Sequence, residues 1–119
     1  MLTEIGTPAN TTSITRDDLT GMVTALKCLH NAGKTHGDAR LPNFVKIGTV
    51  WKLIDFRIFR TGSSQAKTID FIQLYKSMNA MNAADAINKN HSIIISNFVS
   101  SNLSIDDIVT SLWNMYRFK

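Results

Sequence analysis

Cysteine is almost missing from this chain: Cys28 stands alone, so no intrachain disulfide can form and a thiolate-rich zinc site is excluded. Its place in a helical apolar pattern reads as that of a small core residue. A long hydrophobic run is missing too. The longest uncharged stretch, Ser92 to Ile105, is broken by Ser96, Asn97, Ser100, Ser101, Asn102 and Ser104, too short and polar to span a bilayer. The opening Met1-Leu2-Thr3-Glu4 carries an acid where a secretion signal needs a basic region, which makes an intracellular, cytoplasmic setting the expectation. Nor is there a basic cluster. The 13 Lys and Arg exceed the 9 Asp and Glu to give +4, enough for weak attraction to anions, but they are dispersed, which argues against a nucleic-acid-binding face. Repeats and low-complexity tracts are absent.

What is present fits one soluble domain. The 119 residues are 44% hydrophobic and 18% charged, enough for a modest core and too few for two full domains. Residues 1–14 read as an irregular lead-in and 15–119 as the folded body. Thr15 is a plausible N-cap, Asp17 and Asp18 fall in the first turn, and Leu19, Met22, Val23, Leu26 and Leu29 repeat at helical spacing up to a stop at Gly33. His30 reads as a surface or capping side chain of the last turn. The period then changes. Asn43 to Ile47 and Val50 to Ile54 are two β-prone runs joined by Gly48-Thr49, which predicts a tight hairpin with Asn43 and Asp55 side by side at its open end and Trp51 covering it. Arg57 to Gln65 reads as a loop, and Lys67 to Met78 as a second helix. Ser92 to Val99 fits buried helix or strand equally, and His91 reads as an uninformative loop residue. Ser104, with Asp106 and Asp107 behind it, caps a last helix whose apolar stripe includes Ile108, Leu112, Trp113 and Tyr116.

One constellation points to chemistry. His36-Gly37-Asp38 is followed by Asn43 in an H-x-D-x-x-x-x-N pattern, and Asp55-Phe56 ends the hairpin. Upstream, Leu29-His30, Gly33 and His36-Gly37-Asp38 spell L-H-x-x-G-x-x-H-x-D directly after a helix. The set resembles the catalytic loop and metal motif of the protein-kinase-like superfamily, over about Asp17 to Met78. The fold implied is α+β, mainly α: a kinase-like C-terminal lobe with a small β-hairpin, the N-terminal lobe absent. By this resemblance Asp38 would orient an acceptor hydroxyl, Arg40 would reach the transferred phosphate, and Asn43 and Asp55 would hold the Mg²⁺ of bound ATP. His36 and Asp70 would be structural, with Asp70 tying the loop to the core.

The departures from the family refine the expectation. Nothing in residues 1–16 resembles the Gly-rich loop, strand lysine or helix glutamate of the smaller lobe, so transfer by these residues alone is expected to be weak or nil. D-F-G becomes Asp55-Phe56-Arg57, and the passage from Asp55 to Asp70 is short with no A-P-E motif. With Gly37 before the aspartate, this favours aminoglycoside- or choline-kinase-like enzymes over protein kinases. The implied partners are a nucleotide and an unidentified hydroxyl acceptor, with no membrane. A rival reading keeps the lobe as a non-catalytic interaction module, and under either a protein partner could cover the missing-lobe surface.

Overall fold

Helix α1, Arg16–Asn31, starts at a reciprocal capping box. Thr15 Oγ1 accepts from the Asp18 amide at 3.1 Å, and the Asp18 carboxylate accepts from the Thr15 amide at 3.1 Å. Its inner face buries Leu19, Met22, Val23 and Leu26, and also His30. The chain leaves the helix through Gly33 at φ 80°, a conformation that favours glycine. The computed structural model describes residues 7–8, 14–48, 50–54, 60–61, 63–79, 81 and 85–117.

After α1 comes a two-residue strand β2, Lys34–Thr35, then the site loop, a single 3-10 turn at Leu41–Asn43, and the expected hairpin. Its arms are β3, Phe44–Ile47, and β4, Val50–Leu53, antiparallel with Phe44 opposite Leu53 and Ile47 opposite Val50. Gly48 turns it at φ 65°. The lead-in is not wholly irregular: Thr7–Pro8 forms strand β1 against β3, Thr7 opposite Lys46 and Pro8 opposite Val45, and an edge position is where proline is tolerated. A further strand, β5, Arg60–Thr61, pairs with β2 inside the segment expected to be loop.

Helix α2, Ser64–Met78, starts earlier than the expected boundary at Lys67, because Ser63 Oγ accepts from the Ala66 amide at 3.1 Å. The ambiguous isoleucine run resolves as helix α3, Lys89–Ser100, in which Ile95 and Phe98 are buried a turn apart while Ile93 is 51% exposed. A strand would have buried alternate residues; the helix buries Ile95 and Phe98 instead. Helix α4, Ile105–Arg117, is capped by Ser104, whose hydroxyl accepts from the Asp107 amide at 3.2 Å. The resulting fold is α+β and mainly α.

The core lies where α1 packs on α4 and β4, and where α2 packs on α3. Leu19, Leu26, Phe44, Phe71, Leu74, Phe98, Ile108 and Leu112 are among its fully buried members. Three expectations are corrected here. Cys28 is exposed, on the flank of α1 rather than in the core. His30 is buried, one turn after Leu26 on the inner face. His91 belongs to α3, and its Nδ1 lies 2.8 Å from the Tyr75 hydroxyl. No helix among the described residues is long and apolar enough to cross a membrane.

Candidate functional site

The loop from His36 to Asn43 is held by one face of α2. Asp70, fully buried, accepts from the His36 amide through Oδ2 at 3.0 Å and from the Gly37 amide through Oδ1 at 3.0 Å. Two successive N–H groups converging on one carboxylate need an unusual local backbone, and Gly37 supplies it at φ 89°. His30 Nε2 completes the set, 2.8 Å from Asp70 Oδ2. Along the same helix face Gln73 accepts from the Ala39 amide at 3.0 Å and donates to the Gly37 carbonyl at 2.9 Å, and Ser77 Oγ accepts from the Leu41 amide at 2.9 Å. Sequence reasoning found Asp70 but missed Gln73, Ser77 and His30. The signal was weak: Asp70, Gln73 and Ser77 recur at helical spacing, but Ser64, Gln65, Lys67, Thr68 and Lys76 make the rest of α2 polar too.

His36 joins this loop to the hairpin. Its Nδ1 accepts from the Asp38 amide at 3.1 Å, so its Nε2 carries the hydrogen donated to the Ile54 carbonyl at 2.7 Å, a tautomer assigned from these partners. The backbone immediately before Asp55 is thereby fixed to the loop.

Asp38, Arg40 and Asn43 are brought together. Asn43 is buried and donates from Nδ2 to the Asp38 carbonyl at 2.7 Å and to Asp38 Oδ2 at 3.1 Å. That commitment turns the other end of the amide, Oδ1, away from Asp38. Arg40 grips the Asp38 carboxylate with two prongs, Nε to Oδ1 at 2.6 Å and an Nη to Oδ2 at 3.1 Å. The hydrogen bond from Arg40 holds the Asp38 carboxyl below its ordinary value of 3.8; burial opposes this, and the Arg40 charge and the Asn43 hydrogen bond add to it. Asn43 also sits at the open end of the hairpin, its carbonyl accepting from the Ile54 amide at 2.8 Å. Asp55 itself, with Phe56 and Arg57, lies outside the described residues.

Chemically, this is one ionised carboxylate flanked by a guanidinium and an oriented amide. Amide and carboxylate oxygens suit a hard cation such as Mg²⁺. Among the described residues no group of three or more His, Cys, Asp or Glu side chains is placed to hold a metal. A groove of about 710 Å³ lies elsewhere, between α1 and β4, lined by Ala25, Cys28, Leu29, Val50, Trp51 and Leu53 among others and by none of Asp38, Arg40 or Asn43.

No family model, no curated protein and no solved structure matches the chain.

Proposed function

We propose that the chain is the larger, C-terminal lobe of a kinase-like phosphotransferase that moves a phosphoryl group from ATP to the hydroxyl of a small molecule. The observation that carries the reading is the Asp38 cluster: a carboxylate, an amide hydrogen-bonded to it and a guanidinium, on a loop whose backbone is tied to a buried aspartate of the next helix. Phosphoryl transfer needs little else in the way of protein chemistry, since positioning and charge neutralisation supply most of the rate.

Asp38, ionised at neutral pH, would accept a hydrogen bond from the acceptor hydroxyl and aim its oxygen at the phosphorus. Asn43 holds that carboxylate in place and would offer Oδ1 to Mg²⁺ alongside Asp55. Bound there, the cation would neutralise phosphate charge as the leaving oxygen departs. Arg40, half exposed at the mouth of the loop, would turn from Asp38 toward the transferred phosphate, exchanging one bidentate anion for another. Within these 119 residues nothing resembles a cover for the adenine and phosphates, so affinity for nucleotide would be weak.

The groove between α1 and β4 favours a second reading, in which the lobe is a non-catalytic module covered by another chain. Val50 at its edge is 54% exposed, and the lining is mostly apolar. Nucleotide response separates the two. Under the first reading thermal stability rises as Mg²⁺-ATP is titrated through the millimolar range, by about 0.4 kcal/mol once ligand equals its Kd, and Asp55→Asn abolishes the rise. A flat response in the wild type sinks the phosphotransferase and leaves the module.

A further inference from the structure

Behind the site loop, at the end of α1 remote from its cap, is a small cleft that the reading above does not use. Its walls come from four places: Lys27, His30 and Asn31 of α1, Lys67 and Phe71 of α2, Phe98 and Val99 of α3, and Asn102 in the turn between α3 and α4. It encloses about 50 Å³, several times the ~10–15 Å³ that a single water needs. Two lysines, a histidine and two asparagines line it, and among the described residues no acidic one does. The nearest carboxylate in the hydrogen-bond network, Asp70, is already shared among His30, the His36 amide and the Gly37 amide.

Charge and donor geometry are both lopsided. Lys27 Nζ donates to Asn102 Oδ1 at 3.2 Å, which fixes the Asn102 amide with its NH₂ end turned away from that lysine. Asn102 holds this place with φ at 46°, a left-handed conformation that asparagine tolerates better than most residues. The cleft therefore offers cationic and amide side chains with Phe71 and Phe98 beside them and, among the described residues, no acidic side chain. Its volume is that of a compact ion, far too small for a nucleoside or a peptide. We infer that this cleft is a binding site for a phosphate-type oxyanion, held by Lys27, Lys67 and the Asn31 and Asn102 amides. Because His30 joins the cleft to Asp70, and Asp70 holds the loop, an anion here stiffens the Asp38 loop from behind. The carbonyl ends of α1 and α3 also lie near, and a lysine at a helix end is their ordinary complement. That is the rival the test must separate.

The probe is inorganic phosphate, titrated at constant ionic strength against chloride, with O-phosphoserine as a second arm. Thermal unfolding is followed for wild type, Lys67→Met and a control, Lys89→Met, at an exposed position at the start of α3. Wild type and control should gain stability with phosphate, and Lys67→Met should need at least tenfold more phosphate for the same gain. An equal gain in all three proteins marks exclusion of phosphate from the general surface, and overturns the site. No gain in the wild type does so too, leaving the lysines as helix-end complements. A second readout needs no variant: backbone amide shifts on titration should centre on Asn31, Lys67 and Asn102. Shifts centred on Asp38, Arg40 and Asn43 instead would place phosphate at the candidate transfer site and overturn this one while supporting the other. A tighter response to O-phosphoserine than to phosphate makes a phosphorylated chain the source of the group; the reverse makes it the free ion.

Discussion

At the scale of single residues, Asp70 is a fully buried acceptor on which three donors depend. His30 Nε2 and the His36 and Gly37 amides all reach its carboxylate in a fully buried setting. Asp70→Ala strands three donors without water, and the expected loss is about 3–5 kcal/mol, read as a drop in the urea midpoint. Asp70→Asn retains one acceptor oxygen and should fall between. A loss below about 1 kcal/mol for the alanine variant would mean the loop is not held from α2. Asp38 makes a different prediction, because its partner is half exposed. Its folded pKa lies below its ordinary 3.8, chiefly through the Arg40 hydrogen bond. A depressed carboxyl pKa contributes stability above the unfolded value and loses it as pH falls through the folded one. Wild type should therefore exceed Arg40→Ala by no more than about 1 kcal/mol near neutral pH, and the gap should close as pH falls below the ordinary 3.8 and through the lowered folded value. A gap that is constant with pH would assign the Arg40 contribution to packing of its stem instead of to the ion pair.

Individual elements show why part of the fold could be read and part could not. Both well-capped helices were legible, because Thr15 and Ser104 each precede acids and an apolar stripe, and the caps close as expected. The hairpin was legible from Gly48. Strands β1, β2 and β5 were not: each has two residues, too few for a period, and exists only because a partner lies alongside. The errors over Cys28 and His30 run in opposite directions: the sequence pattern places Cys28 on the inner stripe of α1 and the polar His30 outside it, and the structure reverses both. His30 is one turn past Leu26 and is inside; Cys28 is off that line and faces the groove. Helix α1 and the hairpin also meet at a contact that no periodicity announces. A side chain at Gly21 would overlap Trp51 Cδ1 and lie 3.0 Å from Cγ, the rigid base of the indole. Gly21→Ala should therefore destabilise by about 1–3 kcal/mol, although alanine is the better helix former by about 1 kcal/mol. In a Trp51→Ala background the sign should reverse, and a double-mutant cycle of unfolding free energies measures the coupling. If the two changes are additive, the indole has moved aside and α1 does not seat on the hairpin through this pair.

At the scale of the molecule, the candidate site is hydrogen-bonded to a core helix. The Asp38 loop has no regular hydrogen-bond ladder of its own, yet its His36, Gly37, Ala39 and Leu41 amides end on α2, where Phe71 meets His30 edge-on at 5.3 Å and Phe98 of α3 edge-on at 5.6 Å. The sequence could locate Asp38, Arg40 and Asn43 by spacing, since that pattern is local. It could not show Gln73, Ser77 and His30 converging on the same loop, because that requires the packing of α1 on α2 to be known. Such a loop should not behave like a surface loop in hydrogen exchange. The His36 amide, bonded to a buried carboxylate, is expected to exchange only through opening that approaches the global unfolding free energy, whereas the Asn31 and Ala32 amides near the helix end exchange faster. Phe98→Ala is the perturbation that tests the connection, since it lies in α3, outside the loop and the α2 face that holds it. Truncating this buried ring should cost about 3–5 kcal/mol globally. If loop and core open together, His36 protection falls by the same amount as the global stability. Should His36 keep its wild-type protection while the core weakens, the loop opens as a separate unit, and its order has to come from ligands instead of from the helices beneath it.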